Sequence, residues 1–192
     1  AVFVLGIAHL RRHRTPACFR PAEHRVALAG LAASAGLSLL GMILGACIRG
    51  STTLVPAHYH ASLGAVTVAF MTAAYFVCHH LRQTSGRPAL GDRVWRSARR
   101  QLAVFGIGQS VFALGFAIGG AYGLGRKAYA AEQHVRSVGE VTGLIVMGLG
   151  GLVAVAGGLW FLALVLRELR GWWRAPAAPA VAAHEFSTLT LP

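Results

Sequence analysis

Two histidines two residues apart, His58 and His60, open the apolar stretch LVPAHYHASLGAVTVAFMTAAYFV from Leu54 to Val77. An imidazole inside a hydrophobic run is costly in hydrocarbon and marks a functional position by default. Each residue of a helix turns the chain by roughly 100°, so positions two apart point about 200° from one another. The two rings therefore leave opposite faces at nearly the same depth. One ion cannot be chelated from that geometry, but each ring can ligate a separate metal on its own flank. Imidazole is a common axial ligand of haem iron, and the pattern predicts one haem on either side of this helix. Pro56 suits the first turn, whose N–H groups have no intrahelical partner.

The other histidines read differently. His79 and His80 end the same run about 31 Å beyond His58, at roughly 1.5 Å per residue, too far to share a metal with it. They are followed by Leu81 and Arg82 and read as interfacial. His9, His13 and His24 lie in a basic segment, His134 in a polar loop and His184 in the tail, all as solvated side chains.

The surrounding chain decides what medium these residues occupy. Of the 192 residues 55% are hydrophobic and only 12% charged, and the mean hydropathy is +0.57. A soluble domain carries about 25% charge. The net charge of +12 does not point to nucleic acid, because the basic residues sit between apolar runs without a binding motif of interleaved aromatics. Cys18, Cys47 and Cys78 are far apart and form neither a zinc motif nor a disulfide framework.

Four apolar runs, 26–48, 54–77, 102–124 and 141–166, are each long enough to span a bilayer, which takes about 20 residues. The expectation is an all-α polytopic transmembrane bundle of four full spans. Ala1–Leu10 is too short to cross and is followed by Arg11, Arg12 and Arg14. It reads as the end of a preceding helix, with 1–25 completed by a basic loop and 167–192 forming a Pro/Ala-rich disordered tail. Fourteen lysines and arginines fall on one side of the four spans and Arg49, Arg126, Lys127 and Arg136 on the other. The positive-inside rule then places the tail in the cytoplasm of a bacterial-type inner membrane, with His58 and His60 toward the outer face.

Small residues recur at helix-packing intervals in the pairs Gly41/Gly45, Gly115/Gly119 and Gly139/Gly143, which predicts close helix approach. A porphyrin against a glycine face is the alternative use of such pairs. Ser137 and Glu140 have the spacing of a capping box for the fourth span. Trp160, Trp172 and Trp173 read as interfacial anchors. Arg93, Arg96 and Arg100 are expected on one side of a short turn resting on the anionic membrane surface.

The run AHYHASLGAV, the third-span ending GAYGLGRKAY and the opening VRSVGEVTG of the fourth together resemble the last helices of the catalytic subunit of haem–copper oxidases. That family includes cytochrome c oxidases and nitric oxide reductases. The resemblance covers most of this chain but about a third of such a subunit, whose ninth to twelfth helices the four spans would be. It implies that His58 is the proximal ligand of a high-spin haem and His60 an axial ligand of a low-spin haem. Arg126 and Lys127 fall where the family contacts haem propionates, with Lys127 standing in place of a second arginine.

The implied activity is reduction of dioxygen by respiratory electrons, as part of a larger oxidoreductase subunit or a split partner of one. Copper would be ligated by residues outside this chain, which by itself lacks the copper site. Implied partners are the lipid bilayer, the remaining helices of the same subunit, other oxidase subunits, and an electron donor such as cytochrome c or quinol. The alternatives are a nitric oxide reductase-type subunit, a membrane cytochrome b without gas chemistry, and a non-catalytic membrane subunit in which the two histidines only hydrogen-bond.

Overall fold

The structure is a computed structural model and describes residues 21–126 and 137–174. Ala1–Leu10, Lys127, His134, His184 and the tail from 175 lie outside the described residues, as do the side chains of Trp172 and Trp173. Four helices follow one another, α1 (Pro21–Ala46), α2 (Leu54–Thr84), α3 (Asp92–Ala121) and α4 (Val138–Arg174). Each is long and apolar enough to cross a membrane, so the chain is an all-α transmembrane bundle. Large apolar side chains turn outward on every helix, among them Met42, Phe70, Ile107 and Leu152. That is the arrangement lipid requires.

The helices outrun the apolar stretches at their basic ends. α1 begins at Pro21, α2 continues to Thr84 and α4 to Arg174. α3 begins ten residues before Leu102, so Arg93, Arg96 and Arg100 lie on its first turns and not on a separate turn. Hydropathy reports the thickness of the hydrocarbon, whereas helical hydrogen bonding continues into the wet interface until a cap stops it.

Two such caps are built alike. After α2, Gly86 takes φ +67°, its N–H reaches the Gln83 carbonyl and Arg87 N–H reaches the Arg82 carbonyl at 2.9 Å. After α3, Gly123 takes φ +95°, with Gly123 N–H on Gly120 and Leu124 N–H on Gly119 at 2.9 Å. Both are Schellman motifs, which need a left-handed residue that glycine supplies without a Cβ clash. The fourth helix starts as the capping box predicts in one half, the Glu140 N–H donating to Ser137 Oγ at 3.2 Å.

Helix packing is set by backbone approach at glycines. A Cβ on Gly108 would meet Ala154, one on Gly150 would meet Phe112, one on Gly115 would meet Met147, and one on Gly143 would meet Gly119. As the α3 partner moves toward its C-terminus, the α4 partner moves toward its N-terminus, which is the signature of antiparallel helices. Gly143, Gly150 and Gly157 recur at every seventh residue, as do Gly108 and Gly115. That period keeps one seam facing the neighbour along the whole interface. On the other side of the bundle, Gly30, Gly41 and Gly45 of α1 face Thr72, Ser62 and His58 of α2. The Gly41/Gly45 pair thus serves helix approach, and its small-residue face is covered by protein side chains.

The largest buried cluster surrounds Trp95, Val26, Leu37, Val68 and Leu102, with Trp160 packed against it. One polar side chain is fully buried beside this cluster. Gln101 accepts from the Tyr75 hydroxyl at 3.0 Å and donates to the Gly157 carbonyl at 3.0 Å and to Met71 sulfur at 3.4 Å. Three helices meet at this one amide.

Three substitutions test this packing in detergent. Gly115→Leu forces side-chain atoms into the Met147 backbone and is expected to lower the midpoint of thermal unfolding by several degrees or abolish folding. Gly148→Leu, at an exposed position with open space, is expected to leave the midpoint unchanged. Gln101→Leu strands the Tyr75 hydroxyl and the Gly157 carbonyl and should cost about 1–3 kcal/mol, read as an earlier unfolding midpoint that Tyr75→Phe in the same chain partly restores.

Candidate functional site

Four segments fix the end of the bundle that carries the paired histidines. The link 47–53 leads from α1 to α2, and Thr52 forms an isolated antiparallel bridge with Gly125. Thr53 N–H donates to the Leu124 carbonyl at 3.0 Å and Arg126 N–H to the Ser51 carbonyl at 3.1 Å. The Thr53 hydroxyl donates to the Phe116 carbonyl at 2.8 Å, and a Cβ on Gly120 would strike Leu54. The first turn of α2 is therefore clamped to the last turn of α3. His58 and His60 sit directly after that clamp.

The two rings leave α2 on opposite flanks, as the helical spacing predicts. His58 turns to α1, with its Nδ1 2.7 Å from the Gly41 carbonyl oxygen and a ring close enough to Gly45 that a Cβ there would lie 2.9 Å from the same nitrogen. A carbonyl only accepts, so Nδ1 carries the proton, and in a neutral imidazole the lone pair then belongs to Nε2. Backbone anchoring of one nitrogen while the other is kept for an iron or zinc is the usual second-shell arrangement of a ligating histidine.

His60 turns to α3. Its ring stacks parallel on Phe116, with centroids 5.3 Å apart and planes 3° from parallel, and meets Phe112 edge-on at 4.7 Å. No hydrogen bond to either His60 nitrogen is found among the described residues. Stacking covers a ring's face, whereas ligation uses a nitrogen at its edge, so the aromatic contacts hold the ring without consuming its chemistry. Tyr59, between the two histidines, is more than half exposed and points away from the bundle.

Whether these residues fit a haem can be tested on the donor set. Among the described residues no three His, Cys, Asp or Glu side chains gather into a metal-binding group, and His58 and His60 do not converge. A metal held by protein side chains alone needs three or four such donors. A haem brings four nitrogens of its own and asks each helix for one imidazole, which is what each flank of α2 offers. The donor type and number match that group, while the two flanks themselves are occupied by α1 and α3. Gly41 and Gly45 are not a porphyrin face, since His58 and Ser62 cover them.

Arg126 is exposed at the same end as the histidines, where a propionate-facing cation would have to be. Its expected companion Lys127 lies outside the described residues.

The opposite end holds groups that the sequence reading left as interfacial. His79 is largely buried, its Nε2 3.6 Å from a carboxylate oxygen of Glu23 and its Nδ1 accepting from Leu90 N–H at 3.3 Å. Trp95 closes over it at 5.3 Å. Beside this knot Arg82 donates to Glu168 at 2.9 Å and to the Pro88 carbonyl at 2.9 Å, joining α2 to α4. The one available signal was the scarcity of acids: with six Asp and Glu in the whole chain, those at helix ends were candidates for a basic partner. His80 is exposed, as an interfacial side chain should be.

Comparison with known proteins adds one relative. The chain is 29% identical over 159 residues to an uncharacterized protein of Rickettsia prowazekii, a match covering 80% of this chain and 29% of that protein. No protein-family model matches the chain, and no solved structure matches it. The chain spans less than a third of the length of the curated relative it matches.

The His58 anchor makes a spectroscopic prediction independent of any bound group. Solid-state 15N NMR of histidine-labelled protein should contain an Nδ1–H tautomer signal that disappears in His58→Ala. Gly45→Leu, which intrudes on the ring, should shift that signal. A signal unmoved by Gly45→Leu would show that the ring does not rest on α1.

Proposed function

We propose that this chain is the carboxyl-terminal part of a haem–copper terminal oxidase catalytic subunit, in which α2 supplies one axial imidazole to each of two haems. The observation that carries the reading is the divergence of His58 and His60 onto opposite flanks at one depth, with His58 Nδ1 anchored on the Gly41 carbonyl. A relative more than three times as long as the aligned region supports a chain that works as one portion of a larger protein. The basic-side orientation, with the histidines toward the outer face, rests on the distribution of lysine and arginine.

Haem, when bound, supplies one-electron chemistry and an iron at which a gas can be reduced. The work of this chain is to place imidazoles. The Gly41 carbonyl fixes the Nδ1–H tautomer of His58, which would leave Nε2 as the nitrogen to hold an iron. Phe112 and Phe116 fix the plane of His60 and exclude water from its flank, and a dry, apolar surround is one of the levers on redox potential. The turns of α2 hold the two nitrogens in a fixed relation through the backbone clamp at Thr53. Arg126, with Lys127 beside it in sequence, would neutralise propionate carboxylates through charge-assisted hydrogen bonds. The electron donor would be cytochrome c or quinol, and copper would be held by helices outside this chain. Dioxygen is the proposed substrate, with nitric oxide the nearest alternative.

A second reading is favoured by the same contacts. Both rings have protein neighbours, so a membrane cytochrome b or a non-catalytic subunit in which they serve packing would use identical geometry. Spectra of the complete complex separate the three. The oxidase reading expects one low-spin haem and one carbon monoxide-reactive haem. In it His58→Ala abolishes carbon monoxide binding and keeps the low-spin band, whereas His60→Ala removes the low-spin band. A cytochrome b would lack the carbon monoxide-reactive haem, and a complex unchanged by both substitutions would leave neither haem reading standing.

A further inference from the structure

At the end of the bundle away from His58 and His60, an open groove lies between α1 and α3. Its mouth is lined by Arg25 of α1 and by Arg99 and Arg100 of α3, together with Leu28, Ala29 and Ala103, and encloses about 560 Å³. A second volume of about 430 Å³ shares Ala29 and Ala103 with the first and runs on along small and apolar residues that include Ala32, Gly36 and Gly106. The three arginines are exposed. Ion pairs join His79 to Glu23, Arg82 to Glu168 and Arg167 to Glu168, and among the described residues none is found for these three guanidiniums. The site is thus a patch of uncompensated positive charge at the lip of an apolar trough.

We propose that this groove between α1 and α3 binds an anionic phospholipid, its phosphate held by Arg25, Arg99 and Arg100 and one acyl chain lying along Ala29, Ala32, Gly36 and Gly106. Charge complementarity selects the occupant. A guanidinium offers a planar fork of donors matched to phosphate oxygens, and basic pockets between transmembrane helices are recognised lipid headgroup sites. The apolar continuation distinguishes a lipid from a soluble anion, because Ser110, the polar side chain on its lining, donates its hydroxyl proton to the Gly106 carbonyl at 2.8 Å. Its depth also suits a lipid. From Arg25 to Gly36 is about 16 Å of helix at roughly 1.5 Å per residue, close to the ~15 Å of one leaflet's hydrocarbon. Small residues leave the trough open, and a Cβ on Gly36 would meet nothing within 4 Å. This site is separate from the histidines and stands whether or not they bind haem.

The test uses the full-length protein, delipidated in detergent and then exposed to vesicles of equal parts phosphatidylglycerol and phosphatidylcholine. Lipid retained after washing is measured by mass spectrometry. The wild-type protein is expected to enrich phosphatidylglycerol about five-fold or more. The triple variant Arg25→Gln, Arg99→Gln, Arg100→Gln should lose that enrichment, while its thermal unfolding midpoint, set by buried groups, stays unchanged. Gly36→Leu keeps the charges and fills the trough, so it should lower retention of diacyl lipid and leave competition by dihexanoyl phosphatidylglycerol intact. Equal retention of the two lipids by the wild type, as would follow if other helices of a longer chain cover the groove, overturns the proposal. So does enrichment that survives the triple substitution, or displacement of the lipid by inorganic phosphate as effective as by a diacyl competitor.

Discussion

The constraint on which this structure rests is the distance at which two helix backbones can pass inside hydrocarbon. Lipid offers no hydrophobic reward for pairing helices, so association depends on dispersion contacts, and those require close approach. Among the described residues, glycines make close approaches on both seams. The α3–α4 seam uses Gly108, Gly115, Gly143 and Gly150, and the α1–α2 seam uses Gly30, Gly41 and Gly45. A single methyl group at most of these positions would collide with backbone atoms, and the seam would have to open.

The same constraint builds the candidate site. Because Gly45 has no side chain, the imidazole of His58 can lie against α1, and because α1 is that near, the Gly41 carbonyl comes within 2.7 Å of Nδ1. A helix packed on a larger residue would hold His58 too far from that carbonyl. On the other flank α3 presents Phe112 and Phe116, which fill the space against His60 by aromatic contact. One histidine is held by a hydrogen bond and the other by ring packing. The difference follows from what the facing helix carries, glycine in one case and phenylalanine in the other.

Polar groups elsewhere in the bundle follow the rule that buried polar atoms find partners. Gln101 satisfies both ends of its amide across three helices, and Arg82 pairs with Glu168 near the bundle end. Trp95 Nε1 is the exception, buried without a hydrogen-bond partner among the described residues. By contrast Arg25, Arg99 and Arg100 stand at the surface, where lipid headgroups and water supply what the protein does not.

Some of this was legible in the residues. Hydropathy and length gave four spans, because a chain crossing hydrocarbon must satisfy its backbone internally and only a helix of that length does so. The spacing of His58 and His60 fixed opposite flanks through the geometry of a single helix. The caps at Gly86 and Gly123 came with the structure, where each glycine takes a positive φ. What tertiary structure alone decided was the partner of each side chain: that His58 meets Gly41, that His60 meets Phe116, that Glu23 and His79 come together, and that Gln101 is a buried junction. Those pairings join residues from 17 to 56 positions apart, and no local pattern encodes which helix will lie against which. The heptad of glycines in α3 and α4 was present in the letters, yet its meaning depended on the two helices being antiparallel neighbours in register. Periodicity within one helix states which face is special; only packing states what that face touches.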